Sequence, residues 1–80
     1  MDVKHLKLSR KQGVPIYLQL YRRYREAIAS GKLRPEDRVP SVRSLASELG
    51  LARGTVEMAY QILVSEGYFM ARGAAIWSMR

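Results

Sequence analysis

The stretch Glu48-Leu49-Gly50-Leu51-Ala52-Arg53-Gly54-Thr55 limits what this chain can become more than any other. One run with apolar residues at helical spacing (Val42, Leu45, Ala46, Leu49) stops at Gly50, and a second (Val56, Ala59, Tyr60, Leu63) starts after only Leu51 and Ala52. Glycine accepts the left-handed backbone that ends a helix. One apolar residue then fills the angle between the two helices, and the next helix begins at once, which is what a helix-turn-helix requires.

The flanking segments supply the rest of a small core. Pro15 suits the first turn of a helix, and Ile16, Leu20, Tyr24 and Ile28 recur at every fourth position, so a first helix is expected from Pro15 to Ser30, stopped by Gly31. Its opposite face is expected to hold Gln19, Arg22, Arg23 and Glu26. The proline-containing GKLRPEDRVPS reads as a connector with a brief strand near Arg38 and Val39, after which Ser41 fits the N-cap of a second helix, Val42 to Leu49. A third helix is expected from Arg53 to Glu66, with Gly67 as its stop. Tyr68, Phe69, Ile76 and Trp77 favour strands about a Gly73-Ala74-Ala75 centre, so residues 68–79 read as a hairpin. Residues 1–13 have no helical period and read as a flexible or extended leader to a domain at 14–80. The expected fold class is mainly α with a small β-hairpin.

Eighty residues suffice for one domain with a modest core and leave no room for a second with its own ligand cavity. Fourteen Lys and Arg against seven Asp and Glu give a formal charge of +7, which favours a polyanionic partner. No cysteine is present, so packing must stabilise the fold, and a reducing cytoplasm is the expected setting. No 18-residue apolar run exists, and Met1 is followed by Asp2, Lys4, His5 and Lys7 in place of an apolar signal-peptide core, so a soluble, unexported protein that does not span a membrane is expected. Enzymatic function is not expected, because His5, the sole histidine, lies in the leader without a nucleophile or carboxylate arrangement around it. No metal cluster or glycine-rich phosphate loop appears either, and the aromatic residues fall at core spacing.

In a helix-turn-helix the second helix of the pair enters the major groove, its N-terminal residues toward bases and phosphates. Arg53, Gly54, Thr55, Glu57 and Met58 occupy that end. Arginine can bind phosphate or the O6/N7 edge of guanine, Thr55 can bond phosphate or touch a thymine methyl, and Gly54 lets the backbone come close. Ser41 and Arg43 sit where free N–H groups and the helix dipole favour a phosphate. Arg72 beside Gly73 can reach backbone or minor groove from the hairpin tip. Plainer readings stand beside these: a solvated Arg53, a helix-start hydroxyl at Thr55, an ordinary cap with a surface charge at Ser41 and Arg43, and an exposed loop arginine at Arg72.

Across residues 14–77, VPIYLQLY followed by GKLRPEDRVPSVRSLASELGLARGTVEMAYQILVSEGY resembles the N-terminal winged helix-turn-helix domain of GntR-type bacterial transcription regulators. VPIYLQLYRRYREAI preceded by HLKLSRKQG, with AYQIL after RGTV, is most similar to the MocR subgroup. The resemblance implies sequence-specific binding to a double-stranded DNA operator, with helix 53–66 in the major groove and the wing 68–79 on minor groove or backbone. It implies DNA contacts from Ser41, Arg43, Arg53, Gly54 and Thr55 and wing contacts from Arg72 and Gly73; Glu57, a departure from the family, is expected either to read a base as a specificity residue or to point away from the DNA. It implies homodimers on paired half-sites through a C-terminal domain absent here, a nucleoid-associated location, and no cofactor in these residues; pyridoxal phosphate belongs to the aminotransferase-like domain of the MocR subgroup.

Three departures stand out. Ala52 replaces the usual Ser or Thr cap of the third helix, a change worth about 1 kcal/mol of helix stability. Glu57 stands where many members carry a basic or polar residue, and the wing keeps one glycine and reads about one residue short. Two rivals remain: a basic module using Arg22, Arg23 and Arg25 on RNA or an anionic membrane, and a winged helix that grips another protein.

Overall fold

The computed structural model describes residues 8, 13–72 and 75–79. Its elements are α1 (Ile16–Ala29), β1 (Arg38–Val39), α2 (Val42–Leu49), α3 (Arg53–Ser65), β2 (Phe69–Arg72) and β3 (Ala75–Ser78). The three helices form one layer, and a small antiparallel sheet in the order β1-β3-β2 closes one side of it. The principal extents are 33 × 26 × 22 Å.

Each helix ends where its local chemistry says it should. Pro15 caps α1, and its carbonyl accepts from the N–H groups of Leu18 and Gln19, both at 3.1 Å. Ser41 caps α2: its hydroxyl oxygen accepts from the Ser44 N–H at 3.1 Å. At the other end Gly50 takes φ 66° and ψ 37°, which lets the Leu51 N–H turn back onto the Ala46 carbonyl at 2.9 Å. Leu51 then packs against the core. Glu66 caps α3, which closes one residue earlier than expected.

The core joins all these elements. Leu20, Tyr24, Leu45, Val56, Ala59 and Leu63 are fully enclosed, and Leu33, Val39, Tyr60 and Phe69 nearly so. At its centre Tyr24 of α1, Tyr60 of α3 and Phe69 of β2 meet edge to face in a closed triangle, with centroids 5.1–5.7 Å apart. The Tyr60 hydroxyl donates to the Pro40 carbonyl at 2.7 Å, so the Tyr24 hydroxyl, 3.2 Å away, is left to donate to Tyr60. One side chain of α3 thereby fixes the start of α2. Burial pushes the Tyr24 phenol up to about 12 and raises that of Tyr60 as well.

Two expectations change. Gln19, placed by its spacing on the polar face of α1, is buried; its side-chain amide donates to the Val14 carbonyl at 2.8 Å and so serves the helix start. The brief strand expected at Arg38 and Val39 is present, and it turns the expected hairpin into a three-stranded sheet: Arg38 pairs with Trp77 and Val39 with Ile76. Glu36 (φ 70°) turns the chain into that strand, its N–H donating to the Ser78 carbonyl at 2.6 Å, while the Ser78 N–H donates to the Asp37 carbonyl at 2.8 Å.

Candidate nucleic-acid interface

The groove beside α3 shows which surfaces share one side of the molecule. It has a volume of about 490 Å³ and is lined by Val42, Glu57, Tyr60, Gln61, Val64, Ser65, Ala71 and Ile76. Val42 belongs to α2, Glu57, Gln61 and Val64 to α3, and Ala71 and Ile76 to β2 and β3. The start of α2, the outer flank of α3 and the sheet therefore border a single face.

Within that face α3 leads. It has 13 residues, hence a length of about 20 Å at a rise of 1.5 Å per residue. Val56, Ala59, Tyr60 and Leu63 point into the core, which turns Arg53, Gly54, Glu57, Met58 and Gln61 outward, all of them exposed. Ala52 supplies no side-chain cap, so the N-terminal end of α3 presents its peptide N–H groups and the positive end of its dipole beside the Arg53 guanidinium. Gly54 has ordinary helical backbone, and a Cβ built there meets nothing within 4 Å. The fold itself has no use for a glycine at this position.

The other expected residues divide. Thr55 is half-buried on the flank of α3, and its N–H donates to the Ala52 carbonyl at 3.1 Å. Ser41 spends an oxygen lone pair on the Ser44 N–H, which leaves its own O–H free to donate outward, and Arg43 is exposed in the first turn of α2. The backbone of Arg72 ends β2 in register with Ala75, and Gly73 lies outside the described residues. Gln61 was missed in the sequence although the spacing Arg53, Glu57, Gln61 places it one turn beyond Glu57 on the same face.

The α1 arginines are partly engaged elsewhere. Arg25 donates to the Tyr21 hydroxyl at 3.2 Å and lies over the Tyr68 ring at 5.2 Å, while Tyr21 donates to the Glu66 carboxylate. The bond to Glu66 raises the Tyr21 phenol, and the bond to Tyr21 raises the Arg25 guanidinium. Arg23 pairs with Glu26 at 3.1 Å. Among the described residues no helix is long and apolar enough to cross a membrane, and no group of three or more His, Cys, Asp or Glu could hold a metal ion. Lys32, the one lysine among them, stands exposed after α1, so these residues do not fit a Schiff-base cofactor.

Residues 16–75 match the model of the bacterial regulatory proteins of the gntR family. The chain is 40% identical over 73 residues to the probable rhizopine catabolism regulatory protein MocR of Rhizobium meliloti, with 90% of this chain and 15% of that protein covered. It is 37% identical over 70 residues to the uncharacterized HTH-type transcriptional regulator YdeL of Bacillus subtilis, with 88% and 15% covered. It therefore spans about 15% of the length of these curated relatives. Among solved structures it superposes on YtrA from Sulfolobus acidocaldarius, a GntR-family transcription factor, with a TM-score of 0.89 at 37% identity, covering 94% of this chain and 80% of that one. It also superposes on AraR(DBD) in complex with operator ORX1, with a TM-score of 0.79 at 25% identity, covering 92% and 96%. Three helices, a three-stranded wing sheet and a family match over most of its length make this chain a winged helix-turn-helix member of the GntR family of bacterial regulatory proteins, similar to its MocR-like subgroup.

Proposed function

We propose that this domain binds double-stranded DNA sequence-specifically as the reading head of a transcription regulator, with α3 in the major groove. The observation that carries the reading is the exposed start of α3, where Arg53, uncapped peptide N–H groups and a glycine of no structural use stand together on the outward face. A helix about 10–12 Å in diameter fits a major groove about 12 Å wide. Arg53, Thr55, Ser41 and Arg43 then grip phosphates or base edges, Glu57 and Gln61 face bases, and Arg72 with Gly73 extends the contact along the backbone. The likeness to an AraR domain solved in complex with an operator supports the duplex-binding reading.

Phosphate contacts supply most of the affinity and base contacts the selectivity. Two such domains, paired through a further domain of a longer protein, read half-sites about 34–36 Å apart on one face of the duplex. Regulation rather than catalysis is the role of this segment, in the cytoplasm where the DNA lies.

The test is binding of this chain to a random duplex, a single strand and anionic vesicles, each titrated against salt. Preference for the duplex, with log K falling by about 0.9 per contacted phosphate for each decade of salt, is expected. Equal binding to all three sinks the proposal.

A further inference from the structure

Near the start of α3 the outward face carries one large apolar residue that neither the core nor electrostatics explains. Met58 is 48% exposed on a helix whose other large apolar residues near its start are enclosed. It stands one turn beyond Gly54, and helical side chains lean back toward the preceding turn. Directly N-terminal to Met58 the surface is therefore open: a Cβ at Gly54 would find no atom within 4 Å. The gap has glycine backbone on one side and a polarizable thioether on the other. The patch is exposed and apolar, and placed where a base edge passes if α3 lies in the major groove.

We propose that Gly54 and Met58 together form a methyl-reading notch that selects thymine through its C5 methyl group. Of the groups exposed in the major groove, only that methyl is apolar and projecting, and apolar side chains recognise it by contact. Met58 gives the contact through its flexible, polarizable side chain, and Gly54 gives the room. The proposal rests on the duplex-binding reading above and adds to it a specificity element distinct from the charged and hydrogen-bonding residues.

The experiment begins with selection of preferred duplexes from a randomised pool by this chain. Each thymine of the recovered site is then replaced, one at a time, by deoxyuridine, which removes the methyl and nothing else. For the wild type one such replacement should weaken binding about fourfold, the equivalent of the roughly 0.8 kcal/mol carried by a buried methyl-sized group. In Met58→Ala the preference for thymine over deoxyuridine at that position should fall to near unity while the base preferences at the other positions of the site are kept. Met58→Leu should retain most of the preference. Gly54→Ala, which fills the gap with its own methyl, should erase it. A recovered site without thymine, or one in which every replacement is neutral, overturns the notch while leaving duplex binding intact. Failure to bind any duplex overturns the duplex reading, and the notch with it.

Discussion

Gly54→Ala separates what the fold needs from what a bound partner needs. Residue 54 lies in the first turn of α3 with helical backbone, exposed, and a Cβ there meets nothing within 4 Å. Alanine therefore introduces no clash in the free protein and removes the entropic cost of a helical glycine, about 0.5–1 kcal/mol. For a domain of this size about 1 kcal/mol corresponds to roughly 4–8 °C in Tm, so the variant should melt about 2–8 °C higher. On DNA the sign reverses. One extra methyl in a tight contact costs about 1–3 kcal/mol, which is about 5- to 160-fold in affinity. Thermal melting followed by circular dichroism gives the first number, and fluorescence anisotropy with a labelled duplex gives the second. A lower Tm would show that the glycine is structural after all. A higher Tm with unchanged duplex affinity would show that nothing approaches the helix there.

Gly50→Val should lower stability by about 1–2 kcal/mol, because Gly50 sits at φ 66° with open space around it and the whole cost is backbone strain; full retention of the melting temperature would refute this. Tyr60→Phe removes the donor to the Pro40 carbonyl and the acceptor for Tyr24 and should cost about 1–3 kcal/mol in chemical denaturation, with no cavity formed. Arg53→Ala should weaken duplex binding and reduce the salt slope by about 1 if the guanidinium sits on phosphate, whereas an unchanged slope with lost sequence preference would place it on a base. Stability should also fall in alkali. The Tyr24 phenol titrates at about 12 in the fold against 10.0 in the free side chain, so its stabilising contribution is complete below pH 10 and disappears as pH rises toward 12. Tyr60 acts in the same direction, and a denaturation midpoint constant across that window would contradict the buried placement of both.

Much of this fold can be read from local chemistry. Ser41, Gly50 and Gly67 mark helix ends because capping and left-handed turns are properties of single residues, and Val56, Ala59, Tyr60 and Leu63 mark a buried face because the helical period is local too. What escaped reading depends on distance along the chain. Val39 pairs with Ile76, and no feature of a two-residue strand announces a partner so remote. Gln19 was misplaced because a polar side chain opposite an apolar stripe reads as solvated until the carbonyl of Val14 is there to receive it. At the interface, Arg43, Arg53, Gly54 and Glu57 fall on exposed positions as the spacing implies. Gln61 lies on the same face, one turn beyond Glu57, and the helical spacing alone is enough to place it there.

The order β1-β3-β2 has a consequence for how the domain is made. The middle strand of the sheet is the last of the three to leave the ribosome. Until Ala75 to Ser78 emerge, β1 and β2 have no common neighbour, and the hydrogen bonds that Glu36 and Asp37 make with Ser78 cannot form. The helices can nucleate during synthesis, since their own backbone hydrogen bonds are local, but the packing of α1 on α3 needs residues beyond 53 and the sheet must wait longer still. Closure of the domain is thus a single late event, and a nascent chain stalled before residue 75 exposes two strand edges at once.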